Sequence, residues 1–558
     1  MNQDHFKFWP VRTSTTLTLP ETTLYHNLEV TASRYPGKTA IDYYGNEMSF
    51  ADLLKEADEL AGFLQQKMNV TKGESVLLYM QNSPQFIIGF YAILRADAVV
   101  VPINPMNTAD ELSFYVKDCE IKSAIVGQEL YDRAAPLIKE GLITQVVAAA
   151  YSDYAGNHEV KLPEEVRAER RMFNEEGHYL WKEAIGAGCI PLPSASGPDD
   201  LAVMPYTSGT TGLPKGCMHT NRTVQANTFG GYHWLNATSD AVSLATLPLF
   251  HVTGMIHSMH IPILSGATMV LMTRWDREYA RNIIREKKVS NWVNISTMLI
   301  DFLANPNLKK EDMASLQGLA GGGAALPAAV GEKLFNLTGL HFVEGYGLSE
   351  TIAQTHFNPP DRPKLQCLGI PSFDVDAKII DPLTQEELPA GGEGEIVVNG
   401  PQVFLGYYNR PEENEQAFIE IDGKRYFRTG DIGKRDEEGY YFMVDRVKRM
   451  INASGFKVWP AEVESLLYKH PAVQQACVVG IPDERRGETV KAFVVLAQDR
   501  LDTAPEEIID WAKQNMADYK YPRVIEFRDS LPMTSSGKLL WRQLQEEEHQ
   551  KVSGGIER

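Results

Sequence analysis

The first two hundred residues alternate between two periodicities. In SFADLLKEADELAGFLQQ, from Ser49 to Gln66, apolar side chains fall at Phe50, Leu53, Leu54, Ala57, Leu60, Ala61 and Leu64. That spacing predicts an α-helix, with Ser49 as its N-cap. ESVLLYM (74–80) follows as a buried strand. SPQFIIGFYAILRA (83–96) reads as a helix capped by Ser83, with Pro84 in its first position. AVVVPI (98–103), KSAIVG (122–127) and TQVVAAA (144–150) continue as strands. Strands alternating with helices predict parallel sheets covered on both faces. Residues 152–200 are polar and rich in Pro and Gly, and are expected to form an irregular connection. The strand pattern resumes in DAVSLATLPLFH (240–251), GATMVLM (266–272) and NWVNIS (291–296).

The texture changes after about Gly392. GEGEIVVNG, YFRTGDIGKRDEEGYYFMVDR and MINASGFKVWP alternate apolar and polar residues around glycine turns, which predicts antiparallel hairpins. A last block alternates helix PAEVESLLYKH, strands QACVVGIP and VKAFVVLA, helix APEEIIDWAKQNM and strand RVIEFR. The fold class is therefore α/β. A large N-terminal domain of parallel and mixed sheets with helices carries a β-rich subdomain, and a small C-terminal α+β domain follows. The boundary is placed near Asp445–Lys448, giving domains 1–445 and 446–558.

Composition narrows the function class. Of 558 residues, 54 are Lys or Arg and 73 are Asp or Glu, for a net charge of −19. So acidic a chain is a poor nucleic-acid binder, although a local cationic site is allowed. The five cysteines form no C-x-x-C pair. They read as small buried hydrophobes in a reducing compartment, with neither a disulfide framework nor a zinc site. The longest apolar stretch, FIIGFYAILRADAVVVPI (86–103), is broken by Arg95 and Asp97 and is no transmembrane segment. The first residues lack the apolar core of a signal peptide, so a cytoplasmic location is expected.

One stretch carries candidate chemistry. TSGTTGLPKG runs from Thr207 to Gly216. Gly209 and Gly212 let the backbone turn its N–H groups inward as an anion nest. Thr207, Ser208, Thr210 and Thr211 add hydroxyl donors, and Lys215 adds a positive charge. The spacing is not that of a Walker A loop, and a Gly/Ser/Thr run is also compatible with a plain loop.

Five further motifs accompany it: AGGGAAL at 320–326, VEGYGLSET at 343–351, YFRTGDIG at 426–433, DRVKRMINASGFKVWPAEVE at 445–464 and MTSSGK ending at Lys538. In this order and at these separations, over nearly the whole chain, the set resembles the adenylate-forming superfamily of acyl-CoA synthetases, luciferases and adenylation domains. The resemblance implies a two-step reaction. A carboxylate attacks the α-phosphate of ATP and pyrophosphate leaves. A thiol, usually that of coenzyme A, then attacks the acyl-adenylate and AMP leaves.

The resemblance also implies roles for residues. Lys538 would be the adenylation lysine, a cation brought to the α-phosphate and the attacking oxygen. Asp431 would accept the ribose hydroxyls, and Glu350 would hold Mg²⁺ on the phosphates, since magnesium takes one or two carboxylates alongside phosphate and water. Thr207 and Ser349 would bind phosphate, and Tyr346 would flank the adenine. Gly321, Gly322, Gly323 and Ala324 would let the backbone approach the base and acyl group, with Glu344, Gly347 and Arg446 completing the nucleotide set. Lys448 would be the hinge about which the small, mobile C-terminal domain turns between half-reactions. After that turn Ser454, Gly455, Phe456 and Lys457 would face coenzyme A. His251, in PLFHVTG, would be a gate beside the acyl carboxylate.

For the acid, Gly347 stands where short-chain-activating relatives carry Trp, which leaves the acyl pocket open. Met255, Trp292 and Thr297 are candidate lining, although they also fit core positions. The expected substrate is a medium- or long-chain fatty acid, with an aryl acid as the alternative. A carrier protein or oxygen as acceptor, and a catalytically silent nucleotide-binding protein, are kept as further alternatives. A dimer is left open.

Overall fold

The computed structural model describes residues 4–156, 162–173, 175–207, 213–323, 326–453, 456–483, 487–498, 500–533 and 539–553. The chain divides into two compact units. The first holds Met1–Ala377, Val398–Phe427 and Glu438–Tyr441; the second holds Lys378–Val397, Arg428–Glu437 and Phe442–Arg558.

Two sheets organise the first unit. One runs in the order His219–Thr220, Leu201–Val203, Val99–Pro102, Ser75–Tyr79, Ser123–Gly127, Gln145–Ala149, His178–Leu180. It is parallel except at its His219–Thr220 edge. The other has nine strands, in the order Ile370–Pro371, Ala353–Phe357, Phe342–Leu348, Gly318–Gly322, Asn291–Ile295, Val242–Ala245, Thr268–Leu271, Thr39–Tyr43, Asn46–Ser49. Its centre is parallel and its outer pairs are antiparallel.

Both faces of each sheet are buried, as near-continuous apolar strands require. Val76 and Leu78 join one core with Ile41, Met269 and Leu271 of the other sheet, while Leu77 and Tyr79 point into a separate core. Between the sheets lies helix Pro84–Arg95, buried on every side from Pro84 to Leu94. A helix apolar all round has no other stable place in a soluble fold. Helix Phe50–Gln66 starts at a capping box in which Ser49 accepts from the Asp52 amide and Asp52 accepts from the Ser49 amide.

Arg95 and Asp97, the charges that interrupt the apolar run, have structural work. Asp97 accepts from Ser194 Oγ (2.6 Å) and the amides of Ala195 (2.8 Å) and Ser196 (3.2 Å), and Arg95 donates to the Leu192 carbonyl (2.7 Å). They pin the connection before Leu201. That connection corrects one expectation. Within 152–200 the chain forms the edge strand His178–Leu180 and helix Trp181–Gly186. Three residues are too few to show a period of two. The anchor is Trp181, 1% exposed, whose indole donates to Tyr154 Oη (2.9 Å). Among the described residues no helix is long and apolar enough to cross a membrane.

In the second unit, strands Val473–Asp483 and Gly487–Leu496 pair antiparallel, and Val524–Phe527 adds in parallel. Helices Pro460–Leu467 and Pro505–Asn515 cover one face around Val478, Ala492 and Val494. Helix Trp541–Ser553 supplies Leu544 to the other face, with Cys477, Val479 and Phe493. The hairpin of Ile451–Ala453 and Phe456–Val458 forms as its pattern predicts.

Candidate active site

Crowded backbone comes first. In the first unit the parallel strands Gly318–Gly322 and Phe342–Leu348 lie side by side. A Cβ on Gly321 would sit 2.0 Å from the Asn294 carbonyl oxygen, and one on Gly347 only 1.7 Å from that of Ala353. Side chains there would force the strands apart. Gly323 turns the chain at φ +85, a conformation costly for other residues. Glycine at 347 is therefore demanded by the backbone itself, a stronger constraint than the missing tryptophan that the sequence suggested.

Between Tyr346 and Gly347 the pairing with the neighbouring strand slips by one residue, and the chain then enters the turn Ser349–Thr351. Ile352 and Ala353 follow at φ 45 and 93, strained values for side chains with a Cβ. The turn is held from below by His219, whose Nε2 donates to the Ser349 carbonyl (2.8 Å). Burial lowers the His219 pKa to about 4, so the ring is neutral. Glu350 is buried at 7% exposure, and its carboxylate accepts from Tyr407 Oη (2.7 Å). Its carbonyl accepts from the Phe404 amide (2.9 Å).

The flanks of the Thr207–Gly216 stretch reach the same place. Thr207 pairs with Lys215 and Tyr206 with Gly216 in a short antiparallel ribbon. The Lys215 ammonium lies 4.7 Å from the centre of the Tyr407 ring. Tyr407 thus touches a cation with its face and a buried carboxylate with its hydroxyl. Neither Tyr407 nor His219 was singled out in the sequence, where each sits in an undistinguished stretch. Ser208, Gly209, Thr210, Thr211 and Gly212 lie outside the described residues, as does Ala324.

Tyr346 is buried, its ring 5.7 Å from that of His356. Glu344, 5% exposed, accepts from the Gln366 amide (3.1 Å), and burial pushes its carboxyl up to about 7. His251 is exposed and accepts from the Thr253 amide through Nδ1 (3.3 Å). Of the candidate acyl lining, Met255 is fully buried in the π-helical turn Met255–His260. Trp292 is buried against Trp275 and Phe302, its indole donating to Thr246 Oγ1 (3.0 Å). These two occupy core positions, since their surfaces are taken by neighbours, whereas Thr297 is exposed on helix Ser296–Leu303.

In the second unit the TGD motif lies within strand Lys424–Arg435. Thr429 Oγ1 donates to the Ile396 carbonyl (2.7 Å) and accepts from the Asp431 amide (3.1 Å). Gly430 takes φ +70 and donates to the Glu395 carboxylate (3.1 Å), which Arg428 also holds (2.6 Å). Asp431 itself is fully buried. Asp445 accepts from the Ala461 amide (2.6 Å) in the first turn of helix Pro460–Leu467, and Arg449 lies between Asp445 and Glu464. Arg446 ends strand Tyr441–Arg446 and Lys448 sits in the turn Val447–Arg449, but their side chains lie outside the described ones. Phe456 and Lys457 are in strand Phe456–Val458, with their side chains likewise outside. Ser454, Gly455 and Lys538 lie outside the described residues.

Among the described residues no group of three or more His, Cys, Asp or Glu could hold a metal alone. One buried, oriented carboxylate beside Tyr407 and Lys215 would suit Mg²⁺ arriving with ATP, which needs few protein oxygens.

Residues 28–408 match the AMP-binding enzyme family, and residues 462–538 match the AMP-binding enzyme C-terminal domain. The chain is 36% identical over 547 residues to a long-chain-fatty-acid–CoA ligase of Bacillus subtilis, covering 95% of this chain and 96% of that one. It is 32% identical over 512 residues to a feruloyl-CoA synthase of Amycolatopsis, covering 90% and 95%. The ATP-bound crystal structure of MatB from Rhodopseudomonas palustris, 27% identical, superposes with a TM-score of 0.81 over 95% of this chain and 99% of that one. The chain belongs to the AMP-binding enzyme family and is one of its acyl-CoA synthetases.

Proposed function

We propose that the protein joins a medium- or long-chain fatty acid to coenzyme A through an acyl-adenylate, releasing AMP and pyrophosphate. The observation that carries this reading is the meeting of Lys215, Tyr407 and Glu350 beside Thr207 and the glycine-bearing strand ends. A cation and an oriented buried carboxylate at one ribbon are what a triphosphate with its magnesium needs. Magnesium, when bound, neutralises phosphate charge. Glu350 would hold it, with Tyr407 fixing the carboxylate.

A carboxylate cannot acylate a thiol directly, because oxide is too poor a leaving group. Thr207, Ser349 and the loop 208–212 would bind phosphate oxygens, and Lys538 would stabilise charge as the acid attacks. Asp431 and Arg446 would hold the nucleoside, with Tyr346, Glu344, Gly322 and Gly323 around the base. His251 would gate the acyl carboxylate. A turn about Lys448 would then bring the 454–457 face forward for coenzyme A. The fatty acid is preferred because the relative of 36% identity is named for long-chain fatty acids. An aryl acid is the second reading, favoured by the similarity to a feruloyl-CoA synthase. A cytoplasmic location is part of the proposal, supported by five buried cysteines. A dimer is left to direct measurement.

The test is AMP and pyrophosphate release from ATP and Mg²⁺ across a carboxylic-acid panel, with and without coenzyme A. Turnover needing both a fatty acid and coenzyme A is expected. Turnover with hydroxycinnamates alone would move the assignment to aryl acids. Adenylation indifferent to coenzyme A would send the acyl group to another acceptor.

A further inference from the structure

Three strands form the ribbon that carries the phosphate loop. The central one, from Lys215 to Met218, pairs with Tyr206–Thr207 on one side. On the other side the segment 405–408 is zipped to it: the Met218 amide donates to Gly406 O (3.0 Å), Leu405 to Met218 O (3.0 Å) and Tyr408 to Gly216 O (2.9 Å). The two outer strands carry different parts of the chemistry. One leads directly into the phosphate loop. The other presents Tyr407 to Glu350 and Lys215.

A single carboxylate ties those outer strands together. Asp118 Oδ2 accepts from Tyr206 Oη (2.6 Å), and Oδ1 accepts from Arg410 Nη2 (2.6 Å). The Asp118 side chain is 10% exposed and that of Arg410 20%, so the ion pair is sheltered. Tyr206 gives its one proton to Asp118, and the Cys119 thiol, 2.9 Å away, then donates to the phenol oxygen. Burial keeps that thiol protonated, its pKa raised to about 12. Asp118 is the last residue of helix Ala109–Asp118. An acid there opposes the helix dipole, so its place is not explained by helix stability.

We propose that Asp118 is a positioning residue for the adenylation step: it sets the spacing of the phosphate-loop ribbon by clamping Tyr206 and Arg410, and so holds Lys215, Tyr407 and Glu350 in register for ATP. The proposal rests on the phosphate-binding reading of this ribbon. Asp118 touches no reacting group; its effect passes through the two strands it joins.

The test compares wild type, Asp118→Ala, Asp118→Asn, Tyr206→Phe and Arg410→Gln in ATP–pyrophosphate exchange, with ATP binding measured directly by calorimetry. Asp118→Ala is expected to raise KM for ATP roughly 10- to 100-fold, since small misplacements of binding groups carry large costs. KM for the acid should stay within about twofold. Asp118→Asn, which still accepts hydrogen bonds at full size, should recover part of the loss. Tyr206→Phe and Arg410→Gln should each weaken ATP binding, and neither should weaken it further in the Asp118→Ala background. A lowered Tm with an unchanged KM for ATP in Asp118→Asn and Tyr206→Phe overturns the clamp. So does an equal rise in KM for both substrates. Wild-type protein that binds no ATP overturns the phosphate reading itself, and the role of Asp118 with it.

Discussion

Replacing Tyr407 by Phe removes one oxygen from the site and little else. The ring stays, so Lys215 keeps its aromatic face at 4.7 Å and Phe404 its edge contact at 4.8 Å. What goes is the 2.7 Å hydrogen bond to the buried Glu350 carboxylate. Burial and that neighbouring carboxylate hold the Tyr407 phenol well above its usual pKa of 10.0, so it is a donor at every working pH. A hydrogen bond to a charged acceptor contributes about 1.5–3 kcal/mol. Lost from the orientation of the carboxylate proposed to hold the metal, that corresponds to roughly 10- to 150-fold weaker use of magnesium. The assay is ATP–pyrophosphate exchange at saturating ATP and fatty acid, titrated with free Mg²⁺. The half-saturating Mg²⁺ should rise by that factor while KM for the acid stays put. An unchanged magnesium curve would refute the assignment of Glu350, even if turnover fell.

With Lys538 as the proposed adenylation lysine, Lys538→Ala should slow adenylate formation by about 100-fold or more while sparing thioester formation from supplied acyl-adenylate, because its charge would serve the first step; equal loss in both half-reactions would reassign it. Gly347→Ala places a methyl group 1.7 Å from the Ala353 carbonyl oxygen, so the backbone must move and carry Ser349 and Glu350 with it. A loss of about 1–3 kcal/mol in stability and more than about tenfold in exchange rate is expected, and wild-type melting with wild-type turnover would show that the strands yield freely. Glu344, raised from 4.5 to about 7 by burial, binds its proton more tightly folded than unfolded. Its contribution to stability, of order 3 kcal/mol at most, is complete below pH 4.5 and lost as pH rises through 7. Glu344→Gln should flatten the denaturation profile across that window, and a profile as steep as wild type would place the titration elsewhere.

Much of this architecture could be read along the chain, and the failures have physical reasons. Ser49 and Ser83 announced their helices because an N-cap is a local device, complete within four residues. The strands 75–79, 123–127 and 145–149 were legible as apolar runs because sheets covered on both faces leave no polar alternation. His178–Leu180 was not, since its pairing partner is the distant strand Gln145–Ala149 and its anchor, Trp181, is followed by Lys182 and Glu183. At the site, glycine and acid motifs pointed to Gly347, Glu350 and Asp431. Tyr407 and His219 stayed hidden because their meaning comes from distant partners: Glu350 for the one, the Ser349 carbonyl for the other. Trp292 and Met255 show the converse. A large apolar residue near a motif suits a pocket wall and a core equally, and only its neighbours decide.

The five cysteines give the molecule a set of internal clocks. Each is buried, four in the first unit and Cys477 in the second. Burial raises the pKa of Cys119 and Cys477 to about 12, and holds that of Cys217 well above its usual value. A thiol that is both covered and protonated reacts with an alkylating reagent only when its surroundings open. Time-resolved labelling read by mass spectrometry would therefore time the opening of each region separately. Cys217, two residues from the ribbon lysine, would report on the proposed phosphate site. ATP that tightens the ribbon would slow its labelling and leave Cys477 on its own schedule.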